Sequence, residues 1–393
     1  MSLSLDKSTW KRVSFGDVVY NVNETVRNAD AAGIDRVIAM EHLDPGELRI
    51  QRWGSIEDGT TFTRRSKHGQ TLFGKRRAYQ RKVAYAEFDA ICSGDIYTFE
   101  ADQSQMLGEF LPFLVQSNEF FDHALDTSAG SISPRTNWRE LANFEFDLPP
   151  LDEQKRIADL LWRLQAHRTA IADMRASLDW ADEVWLGAQY SKPEVRHVSV
   201  ADLIADGVIR LLTGPFGSTL AASEYTDNGV PVIQPSFIVD GRLTVDEKSF
   251  VSGDTAARLR RWQVREGDIV FMRKRDVTRS AIVTPDERGW ILGSDCILVR
   301  IDDSRLNPSF VRAMLRSPSA RAELLRRAPG TAMPGINERS LSALRLPVQD
   351  SAGQRRVVLE WQVFEHARLA AVKEASCLVE LRSSILAHIF GGC

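Results

Sequence analysis

The chain has 393 residues, of which 43% are hydrophobic and 26% are charged, and its formal net charge is −3. This length is too great for one ordinary hydrophobic core, so we expect a soluble globular protein with at least two domains. The nearly neutral balance excludes a uniformly basic surface, so a nucleic-acid partner would have to be bound by local basic patches.

Cysteine usage and hydropathy predict a protein of the reducing cytosol. The four cysteines are Cys92, Cys296, Cys377 and Cys393. They form no C-x-x-C pair and have no histidine at ligand spacing, which disfavours a zinc site or a disulfide framework. The opening MSLSLDKSTWKR contains no apolar signal core, and no stretch approaches the roughly 18 apolar residues of a membrane span. We therefore expect cytoplasmic localisation and no membrane partner.

In chain order, the first distinctive segment is RRSKHGQTLFGKRRAYQRK, residues 64–82, which carries eight Lys or Arg residues and no acidic residue. Within it, Gly69–Lys75 spells G-x-x-x-x-G-K, nearly the phosphate-binding loop of nucleotide hydrolases. That loop needs Ser or Thr after the lysine to bind Mg²⁺, and Arg76 stands there instead. No apolar strand clearly precedes Gly69. A nucleotide-dependent enzyme is therefore the less favoured reading.

The next segment, LPPLDEQKRIADLLWRLQAHRTAIADMRASLDWADEVWLGAQY, predicts a long helix. Pro149 and Pro150 block continuation from upstream, and Asp152 is a plausible N-cap with acidic residues in the first turn. An apolar seam then recurs every seven residues over five heptads. Its members are Ile157, Leu164, Ile171, Leu178 and Trp185, with Leu160, Met174 and Ala181 between them.

A second segment at the end of the chain has the same register. Its seam residues are Val357, Phe364, Ala371, Leu378 and Ile385. Each segment predicts a helix of about 35 residues, or ~50 Å. A narrow seam on a long helix requires a partner helix, and the simplest partner is the other copy, packed as an antiparallel coiled coil. The alternative is two separate amphipathic helices, each lying on its own domain.

Between the two long helices, the sequence predicts short strands and broken helices. VPVIQPSFIVDGRLTV indicates a strand, a turn at Asp240 and Gly241, and a second strand, while GDIVFM and CILVRI indicate buried strands. Residues 308–328 predict a helix interrupted near Pro318.

The chain is an internal duplication. AGSISPRTNWRELANF, residues 129–144, aligns with PGTAMPGINERSLSAL, residues 329–344. Identical residues recur 200 positions apart: Asp95/Asp295, Phe110/Phe310, Ser117/Ser317, Gly130/Gly330, Pro134/Pro334, Asn137/Asn337, Arg139/Arg339, Leu141/Leu341, Gln154/Gln354 and Arg156/Arg356. The prediction is an α+β fold with two pseudo-twofold-related α/β domains, residues 1–150 and 192–349, joined by helices at 151–191 and 350–393.

The basic cluster is also duplicated. In the second copy, VREGDIVFMRKRDVTR, a strand is again followed by cations, and a shift of 198 residues places Arg273 and Lys274 opposite Lys75 and Arg76. Such clusters suit duplex DNA, because each cation releases counterions from the backbone and arginine pairs well with guanine. The alternative is a solvated basic surface. The candidate DNA-binding residues are Arg64, Arg65, Lys67, Lys75, Arg76, Arg77, Arg81 and Lys82 in the first copy, and Arg273, Lys274, Arg275 and Arg279 in the second.

Taken together, these segments resemble the specificity subunits of type I restriction-modification enzymes. The resemblance is carried by LPPLDEQKRIADLL at the first long helix, by GPFGSTLAASEYTDNGVPVIQ, residues 214–234, and by the domain–helix–domain–helix order, and it covers essentially the whole chain. The second helix entry, LPVQDSAGQRRVV, lacks the double proline of the first.

This resemblance implies two target recognition domains, each reading one half of a bipartite double-stranded DNA sequence. The helical pair would be a spacer that docks two methyltransferase (modification) subunits. Restriction subunits that translocate and cut DNA would join the larger complex. S-adenosylmethionine, ATP and Mg²⁺ would belong to those partners, and this chain would hold no cofactor or metal.

No catalytic motif stands out in the sequence. NPSF, residues 307–310, is similar to an amino-methyltransferase tetrad, but its first-copy counterpart is LGEF and no glycine-rich cofactor loop precedes it. We interpret Asn307 and Pro308 as a helix start and expect a non-catalytic subunit. The alternatives are a stand-alone DNA-binding protein or, less favoured, a nucleotide-dependent DNA enzyme built on Gly69–Lys75.

Overall fold

The computed structural model describes residues 6–128, 130, 134–193, 195–245, 249–328 and 335–391. The chain divides into two compact units. The first comprises Met1–Asp173 with Val372–Cys393, and the second comprises Met174–Ala371. Each unit contains an α/β portion and one half of each of two long helices.

In its described part, the first unit contains ten strands, four short helices, the start of the first long helix and the end of the second. The strands are β1 (Lys11–Ser14), β2 (Val19–Asn21), β3 (Arg36–Ile38), β4 (Gly54–Ser55), β5 (Arg64–Ser66), β6 (Thr71–Gly74), β7 (Val83–Tyr85), β8 (Ala90–Cys92), β9 (Ile96–Ala101) and β10 (Glu145–Leu148). The helices are α1 (Phe15–Val18), α2 (Leu111–Val115), α3 (Asn118–Asp126), α4 (Trp138–Ala142) and α5 (Leu151–Tyr190), which continues into the second unit.

Two four-stranded sheets and the antiparallel pair β1-β10 lie in the first unit. One has the antiparallel order β2-β9-β6-β7, and the other has the order β4-β3-β8-β5 with β3 and β8 parallel. A cluster of fully buried phenylalanines packs between the first sheet and the helices: Phe15, Phe73, Phe99, Phe110, Phe113 and Phe120. Ile157 and Leu161 of α5 belong to the same core, so the long helix is part of the unit's hydrophobic interior.

The second unit repeats this plan with additional strands. Its strands are β11 (Arg196–Ser199), β12 (Ile209–Thr213), β13 (Tyr225–Thr226), β14 (Val230–Ile233), β15 (Ile238–Val239), β16 (Arg242–Leu243), β17 (Phe250–Val251), β18 (Ile269–Met272), β19 (Ser280–Ile282), β20 (Ile291–Leu292), β21 (Cys296–Ile301) and β22 (Arg345–Val348). Its helices are α6 (Val200–Ala205), α7 (Gly253–Arg258), α8 (Pro308–Arg316), α9 (Pro318–Arg327), α10 (Glu338–Ser342) and α11 (Ser351–Phe390), which runs back into the first unit.

Sheet order confirms the duplication that the sequence predicts. The sheet β12-β21-β18-β19 has the order of β2-β9-β6-β7, and the parallel pair β14·β20 corresponds to β3·β8. The predicted turn between β15 and β16 is present, with Asp240 and Gly241 at φ values of 47° and 79°. The predicted helix break is present too, because α8 ends at Arg316 and α9 begins at Pro318.

A buried glutamine shows that the repeat extends to single hydrogen bonds. Gln154 accepts from the backbone N–H of Leu107 and donates to the carbonyl oxygens of Gln105 and Pro149, each at 2.8 Å. Gln354 makes the same three bonds at 2.8 Å, each to the residue 200 positions later. Of the aligned residues in the sequence, Gly330 and Pro334 lie outside the described residues.

The two long helices each contain 40 residues, so at 1.5 Å per residue each is about 60 Å long, longer than the sequence predicts. The predicted cap of the first helix, Asp152, is wrong by two residues, since Pro150 occupies the cap position. The helix begins at Leu151, with Asp152 already in its first turn, because the N–H of Gln154 bonds to the carbonyl of Pro150 at 2.9 Å.

Within each unit, the two long helices pack against each other in antiparallel fashion. In the first unit, Ile157 near the start of α5 shares a core with Ile385 near the end of α11, and His167 bonds to Glu374 at 2.7 Å. In the second unit, the rings of Trp185 and Phe364 lie 5.8 Å apart. The predicted helix pairing is confirmed in both units, and the alternative of separate helices is wrong.

All ten residues of the predicted seam are buried or half-buried. The most buried are Ile157, Ile171, Val357, Ala371, Leu378 and Ile385, and the half-buried ones are Leu164, Leu178, Trp185 and Phe364. Met174, which the sequence places between seam positions, is 42% exposed. Among the described residues, none of the helices combines the length and apolar character that crossing a bilayer requires.

Candidate nucleic-acid interface

The first cationic cluster lies on the loop that joins β6 and β7, residues 75–82, here called the first cationic loop. Backbone hydrogen bonds fix both of its ends. The Lys75 N–H donates to Asp95 O at 2.9 Å, the Thr136 N–H donates to Lys75 O at 2.9 Å, and the Gly74 N–H donates to Lys82 O at 3.0 Å. The loop is therefore held rigidly at the edge of the sheet.

Arg77 lies at the tip of this loop in a left-handed backbone conformation, with φ at 57°. Its N–H bonds to the carbonyl of Pro134 at 2.8 Å, which helps to hold the conformation. An L-residue other than Gly, Asn or Asp rarely adopts this region, at a cost of roughly 1–2 kcal/mol. The side chain is exposed and makes no hydrogen bond or ion pair within the described part of the chain.

The loop between β18 and β19, residues 273–279, is the second cationic loop and is built in the same way. The Arg273 N–H donates to Asp295 O at 2.9 Å, and the Ile336 N–H donates to Arg273 O at 2.8 Å. Arg275 occupies the position of Arg77, with φ at 68°, and is likewise exposed. Two arginines in strained conformations at equivalent loop tips point to function rather than to packing.

The geometry rules out the phosphate-loop reading of Gly69–Lys75. A phosphate loop runs from a strand into a helix and presents free backbone N–H groups. Here the segment enters strand β6, and the N–H groups of Gly74 and Lys75 already bond to Lys82 and Asp95.

Some predicted DNA-binding residues are engaged in ion pairs near β5. The Arg65 Nη2 atom lies 2.6 Å from the Asp89 carboxylate, and the Lys67 Nζ atom lies 2.6 Å from Glu24. The hydrogen bond from Lys67 lowers the pKa of Glu24 below its usual value. These two cations therefore stabilise the fold locally and are less available to a ligand.

A second ion pair is repeated in both loops. The Arg76 Nη1 atom lies 3.3 Å from an Asp95 oxygen, and the Lys274 Nζ atom lies 3.0 Å from Asp295. The side chains of Arg76 and Lys274 remain about half exposed, so each ion pair contributes only about 0–1 kcal/mol to the free energy of unfolding. Such weak pairs can be exchanged for a phosphate without a large penalty.

The last cation of each loop is used to attach the loop to its unit. Lys82 Nζ donates to Met40 O at 2.6 Å, and Arg279 donates from Nη2 to Ile238 O. Arg81 donates to the Asn118 side chain at 2.6 Å. These three residues hold the loops in place.

The remaining predicted cations contact rings or carbonyl groups. Lys75 Nζ lies 5.0 Å from the Tyr97 ring centre, and burial, followed by repulsion from Arg64, lowers the pKa of Lys75. Arg64 itself donates to Ile96 O at 2.8 Å.

In the second unit, the Arg273 guanidinium lies 5.3 Å from the Phe216 ring, which is 56% exposed. Sequence reasoning did not single out Phe216. The feature of the sequence that could have drawn attention to Phe216 is the pair of glycines near it in TGPFGS.

The electrostatics therefore divide the twelve predicted residues into two groups. Arg77 and Arg275 are free and exposed at the loop tips, and Arg76, Arg273 and Lys274 lie beside them in weak contacts. The other seven are held by the fold. Among the described residues there is no cluster of three His, Cys, Asp or Glu side chains that could hold a metal ion.

The repeated fold is similar to that of a type I restriction-modification S subunit. It is similar over 100% of the chain to the S subunit of a type I restriction-modification system from M. genitalium, with a TM-score of 0.61 and 12% identity over 99% of that chain. It is also similar to a chain from a structure of the assembly and conformational transition of the type I R-M system, with a TM-score of 0.57, 18% identity and 96% of each chain covered.

Sequence comparison narrows the class further. Residues 59–175 match the type I restriction modification DNA specificity domain. The chain is 32% identical over 136 residues to the type I restriction enzyme EcoDI specificity subunit of Escherichia coli; the match covers 34% of this chain and 30% of that protein. Residues 59–175 therefore match the type I specificity domain, in a chain whose fold is similar to that of a type I S subunit, and the resemblance seen in the sequence is confirmed.

Proposed function

We propose that this chain is the specificity subunit of a type I restriction-modification complex and reads a bipartite DNA target. Residues 1–150 and 192–349 are the target recognition domains, one for each half of the target. Residues 151–191 and 350–393 form the helical spacer. The chain itself is non-catalytic, and a DNA target places its action in the cytoplasm.

The single observation that carries this proposal is the pair of equivalent cationic loops. Each loop follows a buried strand, is fixed at both ends by backbone hydrogen bonds, and presents an exposed arginine in a left-handed conformation, Arg77 or Arg275. An exposed guanidinium on a fixed backbone suits bidentate contact with guanine or with a phosphate. Since the strain is present in both copies, a shared ligand supports it better than a packing requirement does.

The two units should recognise different half-sites. The second unit places the exposed Phe216 beside Arg273, whereas the first unit places Lys75 over the buried Tyr97. An exposed aromatic ring offers contact to a thymine methyl group or to an unstacked base step. The half-sites therefore differ in sequence although the frameworks are repeated.

The paired long helices supply a docking surface for two methyltransferase subunits, and restriction subunits complete the larger assembly. S-adenosylmethionine, ATP and Mg²⁺ are cofactors of those partners. The alternative of a stand-alone DNA-binding protein is not favoured, since the match of residues 59–175 to the type I specificity domain and the similarity to the EcoDI specificity subunit support the first proposal.

Selection from a random duplex library tests the proposal. The full chain, alone and with the modification subunit from the same cell, is expected to enrich two short motifs separated by a gap of constant length and no sequence preference. Enrichment of one continuous motif by the chain alone would favour the stand-alone reading, and absence of any motif with the subunit present would refute sequence recognition.

A further inference from the structure

Besides the loops, the first unit contains a hollow of about 300 Å³, and two of the polar side chains that line it have groups without a partner among the described residues. It lies between α3, the segment after β3 and the second half of α11. The residues that line it are Pro45, Gly46, Arg81, Gln116, Asn118, Phe121, Arg382, Ser383, Leu386 and Ala387. Its volume is far larger than the roughly 30 Å³ that one water occupies.

Two side chains at this hollow have unused hydrogen-bonding groups. Gln116 is only 7% exposed, and both its amide nitrogen and its amide oxygen are without partners among the described residues. Arg382 has no partner there for Nε or Nη2. Those two atoms form one edge of the guanidinium, the edge with which Arg300 binds both carboxylate oxygens of Asp268 at 2.9 and 2.6 Å. Leaving buried polar groups unpaired is costly.

The equivalent position in the second unit shows that the hollow of the first unit lacks a negatively charged group. By the 200-residue repeat, Arg382 corresponds to Asp182, and Gln116 corresponds to Arg316. In the second unit the Asp182 carboxylate accepts from Arg316 at 3.2 Å and from Arg368 at 2.7 Å. The charges there are balanced, because Arg312, Arg316 and Arg368 pair with Asp179, Asp182 and Glu365.

The first unit has no such balance. Arg168 occupies the position of Arg368, and with Arg81 it adds positive charge next to Arg382, against the one carboxylate of Glu47. Burial, followed by the charge of Arg168, lowers the pKa of Arg382 to about 10, so the side chain is still a cation at neutral pH. Such an excess of buried positive charge is destabilising unless a further anion enters.

We infer that this hollow binds a phosphate group through the unpartnered edge of Arg382, the amide of Gln116 and the first residue of α3, the exposed Asn118. Asn118, which lines the hollow, is the first residue of that nine-residue helix. A helix N-terminus and an arginine edge together favour a phosphate over a neutral ligand. Arg81 connects the hollow to the first cationic loop, so the phosphate is either a free ion or part of the backbone of the proposed DNA target.

The free-ion source is tested by thermal unfolding of the full chain in inorganic phosphate and in chloride of equal ionic strength. We expect phosphate to raise the midpoint by about 2–4 °C more in the wild type than in Arg382→Gln. Comparing variants is necessary because phosphate stabilises folded proteins generally by exclusion. Lys373→Gln, which removes an exposed cation from the same half of α11, should behave like the wild type.

A second variant keeps the inference testable if Arg382→Gln fails to fold. Gln116→Glu places a carboxylate opposite Arg382 and reproduces the Arg316–Asp182 pair with its charges exchanged. It should raise the unfolding midpoint in chloride and abolish the added effect of phosphate.

The DNA source is tested by the salt dependence of binding to a selected duplex. If a backbone phosphate fills the hollow, Arg382→Gln should reduce the slope of log Kd against log salt by about 0.9 without changing base preference. If neither the phosphate shift nor the slope differs from the wild type, the inference is wrong, and a partner's carboxylate would be the remaining occupant. If the wild type binds no DNA but shows the phosphate shift, the inference stands and the proposed function fails.

Discussion

At the scale of single residues, the most informative positions are those that both copies use identically. Gln154 and Gln354 stand out in the sequence only as one matched pair among several. The structure gives the reason for the match, since each buried amide joins the start of a long helix to the loop before α2 or α8. The sequence could not supply this reason, because the bonded carbonyl groups belong to backbone whose path is set by the fold.

Gln354→Ala should therefore destabilise the chain although glutamine is uncharged. The change leaves one part-buried N–H and two part-buried carbonyl groups unpaired, with an expected loss of about 2–4 kcal/mol in the free energy of unfolding. Calorimetry or denaturant unfolding measures the loss. Gln362→Ala, at an exposed position of the same helix, is the control. Equal stability of the two variants would contradict a structural role for Gln354.

At the scale of elements, the heptad pattern predicts both long helices and their antiparallel packing, because an apolar seam of this length has to be covered. The pattern does not predict the polar groups that interrupt the seam. Asp182 is 1% exposed, and its partners Arg316 and Trp361 come from other elements, so only packing brings them together. The sequence likewise does not predict the ion pairs of the cationic segment. There Arg65 pairs with Asp89 and Lys67 pairs with Glu24, both of which lie outside that segment.

Two neighbouring acids on α5 test the buried network. Asp182 accepts three hydrogen bonds, from Trp361, Arg316 and Arg368, whereas Asp179 is 55% exposed and accepts one from Arg368. Asp182→Ala is expected to lower the free energy of unfolding by about 3–5 kcal/mol, because it leaves Arg316 without its counterion, removes one carboxylate from Arg368 and leaves the buried Trp361 N–H without an acceptor.

Asp179→Ala should cost less than about 1 kcal/mol, as is usual for an exposed ion pair. Thermal unfolding of the two variants side by side separates these values. A similar, small effect of both would show that the network carries no net stability.

At the scale of the whole molecule, duplication is the feature that the sequence reveals best, because it depends on spacing rather than on local propensity. The fold class, the sheet order of the two copies and the pairing of the long helices all follow from it. Which cations remain available to a ligand does not follow from the duplication. The sequence offers twelve candidates, but among the described residues only Arg77 and Arg275 combine an exposed side chain with the absence of a partner, and three of their neighbours are weakly held.

Substitution by lysine distinguishes what each tip contacts. A lysine retains a phosphate contact but loses the bidentate pairing with guanine. If Arg77 reads a base, Arg77→Lys should relax the preference at one position of one half-site while leaving the salt dependence of binding unchanged.

The most direct test of whether each unit recognises its own half-site is a hydroxyl-radical footprint on a duplex that carries the selected bipartite target. Arg77→Glu and Arg275→Glu are compared with the wild type, each in the complex with its modification subunit. Each reversal is expected to remove protection from one half-site only, and the two variants should lose opposite halves. Equal loss of both halves in either variant, or full protection in both, would contradict the assignment of one half-site to each unit.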